Sequence, residues 1–476
     1  MSIKLAYIHA PGNIVGPTDI KFATNAPVTR KTFYAAGRYW VFYLNSTMMM
    51  YRTSTNGLDW TEPTYVIGSI DELVTYDIFY DGTYVHIHCN IWRPGQANTY
   101  VPIRTYRRGI PQSDGSISWS TPDWEHPYPA VSGEYYSAAT IGVDSDGYPW
   151  VGYCYEKSDK SEYGARVSKS ALNNGSWSTA SGFPVTLCSS STSEDSSQLV
   201  ALVPLTNQAV YCIYGTVCHT LKGKLWNGAW GPEEEVTSTL PYWTAMMSAT
   251  SKPGSDDVHF VYLTQDPYHI IYRKRAGGIW ESEVTVQSST TIYSGPSISI
   301  DPETDILYVF WTDSPTLNHI YYKRCINGVW DESPTDWIPE TALSHKGYYQ
   351  SNSQIASSRQ TIDGKVCFVY MTGTSSPFYV KFKPSLTDFV VTEVFSDNFD
   401  DNSLDQSKWA TGSGGSPIGS IREKNGRLEI SLASGQPGQR AQLYIVSQQS
   451  YSFAKGARFS AYMSWNSSSC REISLY

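Results

Sequence analysis

The sequence predicts an all-β protein, and its composition and a long internal repeat are the observations that predict it. Among 476 residues there are 36 Tyr, 16 Trp, 36 Gly and 26 Pro, and only 17% of the residues are charged. Aromatic residues favour strands, whereas long runs rich in Ala, Leu, Glu and Lys, which favour helices, are lacking. A chain of this length can bury one large core or two or three smaller ones.

The repeat is marked by tryptophans that follow a glycine-containing turn. They are Trp60, Trp119, Trp177, Trp230, Trp280 and Trp330, with successive spacings of 59, 58, 53, 50 and 50 residues. Such regular spacing indicates one supersecondary unit that is copied along the chain.

The same order of elements recurs in each unit. An apolar strand, a tight turn and an aromatic strand are followed by a variable loop, a strand with Arg or Lys, and a Gly-x-Trp turn that begins an edge strand. The aromatic second strand occurs seven times, ending at Tyr43, His88, Tyr153, Tyr214, Tyr262, Trp311 and Tyr370. Asp-Gly often precedes it, as at Asp81-Gly82, Asp146-Gly147 and Asp363-Gly364, which suits a two-residue hairpin connection with positive φ.

Seven four-stranded units predict a seven-bladed β-propeller over residues 1–390, because radial packing buries both faces of each sheet. The last unit ends in "FYVKFKPSL" without a Gly-x-Trp strand, whereas the segment before Phe33 has strand-like residues and no unit of its own. We therefore expect residues 3–22 to supply the outer strand of the seventh blade and to close the ring.

One turn also resembles a known motif. The segment "STNGLDW" at residues 54–60 resembles the Asp-box turn of sialidase-like (BNR-type) propellers, with Asn56 in place of the usual Asp and one residue fewer before Trp60. The other units keep only Gly-x-Trp. The resemblance covers all seven blades as architecture and implies that these turns are structural and remote from any chemistry.

Residues 391–476 form a second predicted domain. The stretch "FSDNFDDNSLDQSKW" and a hairpin at "NGRL", residues 425–428, resemble the opening of concanavalin A-like jelly rolls, as in laminin-G-type lectin domains and family 16 glucanases. Such sandwiches are about twice as long, and the Glu-x-Asp-x-x-Glu segment of the glucanases is absent from the sequence. The resemblance implies an incomplete β-sandwich binding domain without catalysis, and we expect the chain to be part of a longer multidomain protein.

Charge and cysteine usage limit the partners. The net charge of −9 and a pI near 5.5 argue against nucleic acid. The eight cysteines show no metal-ligand spacing, so we expect buried free thiols, with disulfides as the alternative, and neither a metal nor a cofactor. Without an apolar run of about 18 residues or a signal-peptide core we expect no membrane insertion, and an extracellular, cell-surface or virion-associated location.

Candidate ligand-binding residues lie where loops of a propeller gather on one face. Aromatic residues just before several first strands suit sugar rings, and His88 breaks the symmetry of the second-strand ends. The predicted ligand-binding residues are Tyr76, His88, Trp92, Arg93, Tyr136, Trp243, His269, Tyr293, His319 and Tyr349. The alternative is that these rings pack blade against blade and that the histidines are packing or capping residues.

The favoured function is non-catalytic recognition of a polysaccharide or glycoconjugate by an adhesion or binding protein. One alternative is a propeller polysaccharide lyase acting on uronic acid polymers, for which His88, Arg93 and Tyr136 would have to converge. Another is a sialidase-like glycoside hydrolase, which needs three arginines and a Tyr-Glu pair, although its Arg-Ile-Pro phrase is interrupted by Gly109. Protein–protein scaffolding is the remaining class.

Overall fold

The structure is a computed structural model in which the chain forms two compact units. One is Pro11–Leu386, and the other combines Met1–Ala10 with Thr387–Tyr476. The structure describes residues 6–7, 11–24, 26–46, 48–67, 73–92, 103–191, 199–215, 220–242, 246–312, 318–340, 342–344, 354–361, 365–384, 402–406, 409–415, 420–423, 428–431, 441–447 and 457–458. The predicted domains, 1–390 and 391–476, stay a prediction.

The described residues of the larger unit form seven antiparallel sheets, numbered here in chain order, and no helix. Sheet 1 contains Thr32–Ala35, Arg38–Asn45, Met48–Ser54 and Thr64–Ile67. Sheet 2 contains Leu73–Tyr80, Val85–Trp92, Ile103–Pro111 and Ile117–Trp119. Sheet 3 contains Glu134–Val143, Pro149–Lys157, Tyr163–Lys169 and Val185–Ser190. Sheet 4 contains Ala201–Pro204, Val210–Tyr214, Lys222–Trp226 and Trp230–Glu235.

In sheets 5 and 6 the outer strand is split into two short strands, and both of them pair with the third strand. Sheet 5 contains Met247–Thr250, Val258–Leu263, Ile270–Ala276, Ile279–Trp280 and Val284–Gln287. Sheet 6 contains Ser297–Ile300, Leu307–Thr312, His319–Ile326, Val329–Trp330 and Thr335–Pro339. Sheet 7 contains Ile355–Ser357, Cys367–Thr372, Phe378–Pro384 and Asn13–Thr18.

The predicted order of strands is confirmed, since each of the seven aromatic segments is the second strand of its sheet. The Gly-x-Trp turn begins an edge strand in sheets 4, 5 and 6, at Trp230 and just before Trp280 and Trp330. In sheets 1 and 3, Trp60 and Trp177 lie between the third and fourth strands instead. There the tryptophan packs against a neighbouring sheet: Trp60 meets Phe382 edge-on at 5.1 Å between ring centroids.

The predicted pairing of the N-terminal segment with the last unit is also confirmed. Asn13–Thr18 runs antiparallel to Phe378–Pro384, with a bulge between Ile14 and Gly16. Val15 is buried in the core cluster that includes Val380 and Phe382. The two ends of this unit therefore meet in one sheet.

Successive sheets contact one another through their first strands or the residues next to them, and sheet 7 contacts sheet 1. The contacts are Phe33 with Tyr80, Ala139 N–H with Thr75, Thr140 with the Val200 oxygen, Ser251 with the Pro204 oxygen, Ile298 N–H with Ser248, Ser297 with Ser357, and Tyr39 with Phe382. The contacts thus run from sheet 1 through each sheet to sheet 7, and from sheet 7 back to sheet 1.

The core lies between neighbouring sheets and is rich in aromatic pairs. Trp150 of sheet 3 packs edge-on against Trp226 of sheet 4, with 6.0 Å between centroids, and Phe310 of sheet 6 packs on Phe368 of sheet 7 at 5.0 Å. The predicted buried free thiols are confirmed for Cys89, Cys212, Cys325 and Cys367. Cys218 and Cys470 lie outside the described residues.

Both described Asp-Gly turns differ from the predicted two-residue hairpin, since the link that contains Asp146-Gly147 spans residues 144–148 and the link after Tyr80 is also longer. Asp363-Gly364 lies outside the described residues. The link after Tyr80 is not a two-residue hairpin but spans four residues, because a carboxylate organises it: Asp81 accepts hydrogen bonds from the N–H groups of Thr83 and Tyr84, at 2.8 and 2.7 Å. Gly82, with φ of 101°, supplies the positive dihedral that the sequence predicted.

The turn that resembles an Asp box is held by an amide oxygen. Oδ1 of Asn56 accepts hydrogen bonds from the N–H groups of Leu58 and Asp59, at 2.8 and 2.9 Å. The hydroxyl of Ser54 accepts the N–H of Gly57 at 2.8 Å, where φ is 73°. Asparagine thus replaces the usual aspartate as the acceptor, and the role is structural.

The smaller unit contains three described strand pairs, all antiparallel. They are Ala6–Tyr7 with Ala457–Arg458, Trp409–Gly415 with Ala441–Ser447, and Ser420–Glu423 with Leu428–Ser431. The last pair flanks residues 424–427, so residues 425–427 of the predicted hairpin lie outside the described residues.

Candidate functional site

A pair of half-buried tyrosines forms the best candidate for a ligand-contacting surface. Tyr242 precedes the first strand of sheet 5, and Tyr268 belongs to the loop between its second and third strands. Their rings meet edge-to-face at 90°, with 5.3 Å between centroids. We call these two residues the tyrosine pair. Aromatic faces with polar tips can contact both the C–H face and the hydroxyls of a sugar.

Main-chain hydrogen bonds hold the two segments together. The N–H of Tyr242 donates to the oxygen of Leu263 at 2.7 Å, and that of Gln265 donates to the oxygen of Leu240 at 2.9 Å. Within the loop, the hydroxyl of Thr264 accepts the N–H of His269 at 2.8 Å. The rings are therefore carried by a fixed frame.

A third segment packs against this loop from the outer edge of sheet 5. The N–H and the hydroxyl of Thr290 both donate to the oxygen of Tyr268, each at 2.9 Å. The N–H of Ser289 donates to Nδ1 of His269 at 3.2 Å, which leaves the proton of a neutral ring on Nε2. Burial raises the pKa of Tyr268, so its hydroxyl is a neutral donor near pH 7.

The predicted residues of sheet 6 lie at corresponding positions. Tyr293 is half-buried and precedes the first strand. Its main-chain oxygen accepts a hydrogen bond from the hydroxyl of Thr312 at 2.5 Å. His319 begins the third strand, and its Nδ1 lies 2.7 Å from Oδ2 of Asp336.

Tyr76 and Tyr136 occupy strands rather than the loops that the sequence predicted, because the first strands of sheets 2 and 3 begin earlier. The hydroxyl of Tyr76 donates toward the oxygens of Ala23 and Phe42, at 3.0 and 2.9 Å. That of Tyr136 donates to Glu134 at 2.9 Å, and burial raises its pKa to about 12. Both rings show the packing role that was the alternative, and ligand contact by them stays a prediction.

His88 is buried between sheets 2 and 3. Its Nδ1 donates to the oxygen of Thr105 at 3.0 Å, while Nε2 has no hydrogen-bond partner among the described residues. Tyr128 lies between His88 and Tyr136, with edge-on contacts of 6.0 and 5.3 Å between ring centroids. Burial lowers the pKa of His88 to about 4, so the ring is neutral at pH 7.

The remaining predicted residues cannot be placed against a site. Arg93, Trp243 and Tyr349 lie outside the described residues, and Trp92 is described only as the last residue of its strand. Their binding roles stay predictions.

Sequence reasoning missed a group of charged residues at the first strands. We call Arg30, Asp77 and Arg359 the charged hub. Arg30 is 2% exposed, and its guanidinium donates to Ala249 O at 2.9 Å and to the hydroxyls of Ser297 and Ser357, both at 3.1 Å. These acceptors belong to the first strands of sheets 5, 6 and 7.

The other two hub residues connect the first strands of sheets 2, 3 and 4. Asp77 of sheet 2 accepts the N–H groups of Arg30 and Ile141, at 2.6 and 2.9 Å. Arg359 donates to the oxygens of Ile141 and Leu202, in sheets 3 and 4, at 3.2 and 3.0 Å. The sequence did contain one signal for this group: in "TRKTF" two cationic residues, Arg30 and Lys31, stand directly before an apolar strand.

Burial dominates the electrostatics of the hub. It lowers the pKa of Arg30 to about 9, with the nearby charge of Arg359 acting in the same direction. Burial also lowers the pKa of the adjacent Lys31 to about 7, although Asp77 opposes this shift. Lys31 packs over the ring of Tyr76, 3.6 Å from its centroid.

The described residues contain no group of three or more His, Cys, Asp or Glu side chains placed to hold a metal ion. These residues also contain no helix that is long and apolar enough to span a membrane.

No protein-family model and no curated protein matches the chain. Similar solved structures include AofleA from Arthrobotrys oligospora, with 12% identity, a TM-score of 0.42, and coverage of 66% of this chain and 87% of that chain. The Trypanosoma rangeli sialidase in complex with the inhibitor DANA has 9% identity, a TM-score of 0.44, and coverages of 77% and 56%. The Penicillium chrysogenum α-L-arabinanase complexed with arabinobiose has 14% identity, a TM-score of 0.39, and coverages of 65% and 92%. These likenesses do not assign the chain to a family.

Proposed function

We propose that the seven sheets are the blades of a closed β-propeller and that the protein recognises glycans without catalysing their cleavage. The fold proposal is supported by the cyclic order of sheet contacts and by the pairing of Asn13–Thr18 with Phe378–Pro384. The C-terminal unit is a concanavalin A-like domain in this proposal, consistent with its antiparallel strand pairs.

The observation that carries the binding proposal is the tyrosine pair. Tyr242 and Tyr268 are half-buried, fixed by main-chain hydrogen bonds, and accompanied by His269 and Thr290. A fixed aromatic surface loses little conformational entropy on binding, and neighbouring polar groups can orient sugar hydroxyls. The partner is a polysaccharide or glycoconjugate, met outside a cell, at its surface or on a virion.

No specific observation supports either enzymatic alternative, the polysaccharide lyase or the sialidase-like glycoside hydrolase. His88 is fully buried and neutral, and the Tyr128 ring lies between it and Tyr136. Tyr–Glu contacts recur in several sheets, for example Tyr214 with Glu233 at 2.8 Å and Tyr262 with Glu283 at 2.8 Å. A contact that is repeated from sheet to sheet fits the repeat better than a single reaction centre.

A glycan array probed with the full chain tests the proposal. The wild-type protein should be retained on a defined set of glycans, and Tyr268→Ala should reduce retention at least tenfold with a melting temperature close to that of the wild type. Tyr65→Ala is the matched control, because Tyr65 is 62% exposed on the outer strand of sheet 1. Retention of no glycan by the wild type, or equal losses in the two variants, would overturn the proposal.

A further inference from the structure

Two arginines of the charged hub line one small cavity. It has a volume of about 50 Å³, and its wall includes Arg30, Arg359, Thr32, Ser358 and Gln360. A single buried water needs roughly 10–15 Å³ on this scale, so the cavity has room for a small solute but not for a sugar ring.

Among the residues that the structure describes, the charges around this cavity do not balance. Arg30 and Arg359 are both cationic, and Asp77 is the acidic residue that perturbs the pKa of each. Both Asp77 oxygens accept main-chain N–H groups, and the guanidinium hydrogen bonds of Arg30 and Arg359 go to neutral oxygens. A buried charge without a close counterion is costly, so the hub favours an added anion.

Unused donors point to the same conclusion. Within the part of the chain that the structure describes, Nε of Arg30 and Nε of Arg359 are buried and have no hydrogen-bond partner. A buried N–H that makes no hydrogen bond costs about 1–3 kcal/mol, and such groups are rare in folded proteins. An acceptor in the shared cavity would satisfy these donors and the charge together.

We propose that this cavity binds one small monovalent anion of the halide class, held by the guanidinium groups of Arg30 and Arg359. The anion would link residues that already contact the first strands of sheets 3 to 7, and it would act as a structural ligand. This proposal is independent of glycan binding, because the tyrosine pair lies on other segments.

Bromide is the probe that tests the site in the folded chain. Crystals soaked in sodium bromide and measured at the bromine absorption edge should show an anomalous peak within about 3.5 Å of a guanidinium nitrogen of both arginines. Data that locate bromide at other surface sites, with no peak in this cavity, would overturn the proposal.

Unfolding measurements give the solution test. At constant ionic strength, replacing gluconate, which is too large for the cavity, by chloride should raise the melting temperature saturably, as expected for a ligand of the folded state. Arg359→Gln should abolish this rise. Arg273→Gln is the control and should retain it, because Arg273 also donates to main-chain oxygens, those of Glu281 and Val236, but outside the hub.

If Arg359→Gln does not fold, Arg359→Lys keeps the charge and removes the planar donor group. The midpoint of its chloride response should shift to at least tenfold higher concentration. An unchanged midpoint in this variant, or a wild-type melting temperature that does not depend on chloride, would contradict the proposed site.

Discussion

The carboxylate of Asp77 accepts a hydrogen bond from the main-chain N–H of Arg30, across 2.6 Å. Its second oxygen accepts the N–H of Ile141 in sheet 3 at 2.9 Å. Burial raises the pKa of Asp77, while Arg359, Lys31 and these two hydrogen bonds oppose that shift. One side chain thus joins sheets 2 and 3 to the segment that enters sheet 1.

We expect Asp77→Asn to destabilise the protein by about 2–4 kcal/mol, because an amide offers one acceptor oxygen for two N–H groups and removes the negative charge among buried cations. Urea unfolding measures the change in free energy. Asp305→Asn is the control and should cost less than about 1 kcal/mol, since Asp305 pairs with Lys252 at the surface. An equal loss of unfolding free energy in both variants would show that the Asp77 carboxylate stabilises the protein no more than a surface carboxylate does.

Because the strand Asn13–Thr18 completes sheet 7, aspartate substitutions at two adjacent residues of this strand should differ strongly in their effect on stability. Val15 is 2% exposed, whereas Ile14 is 53% exposed. Val15→Asp should cost about 3 kcal/mol or more, because it buries a charge beside Val380 and Phe382. Ile14→Asp should change the free energy of unfolding by less than about 1 kcal/mol. Similar urea midpoints for the two variants would be incompatible with this strand closing sheet 7.

The repeat made most strand positions predictable. Tyr43, Tyr214 and Tyr370 end apolar, aromatic runs that recur from unit to unit, and each lies in a second strand. The pairing of Asn13–Thr18 was predictable because one unit lacked its last strand. The length of the turn after Tyr80 was not, because it depends on Asp81 accepting two N–H groups, and the Asp-Gly pair alone does not specify this.

The candidate site was harder to predict, because burial depends on contacts between distant units. His88 was identified as an exception to the pattern, but its ring is enclosed by Tyr128, 40 residues later in the chain. Arg30 and Arg359 were missed because their partners lie on the first strands of several sheets. No local motif marks two residues that meet only after the sheets assemble.

The turn at residues 54–60 predicts a double-mutant effect. Nδ2 of Asn56 donates to Oδ2 of Asp59 at 2.9 Å. Asn56→Asp restores the residue usual in the resembling motif, but it places two carboxylates together, so we expect destabilisation by about 0.5–1.5 kcal/mol. Adding Asp59→Asn should recover most of this loss. Urea unfolding of both single variants and the double variant gives the coupling, and purely additive effects would contradict the hydrogen bond.

His88 should contribute to acid sensitivity. Its pKa is about 4 when folded and 6.5 in an ordinary environment, so the unfolded chain takes up a proton first as the pH falls. The free energy of unfolding should therefore decrease between pH 6.5 and pH 4, by up to roughly 3 kcal/mol from this group, and level off below its folded pKa. Urea unfolding at several pH values measures this slope.

His88→Gln isolates that contribution from those of other buried histidines. Burial also lowers the pKa of His259 to about 4 and that of His86, so all three contribute to the wild-type slope with the same sign. The glutamine amide can donate to the Thr105 oxygen but does not titrate, so the variant should lose less stability than the wild type between pH 6.5 and pH 4. An unchanged slope in His88→Gln would mean that His88 takes up its proton in the folded state as readily as in the unfolded chain.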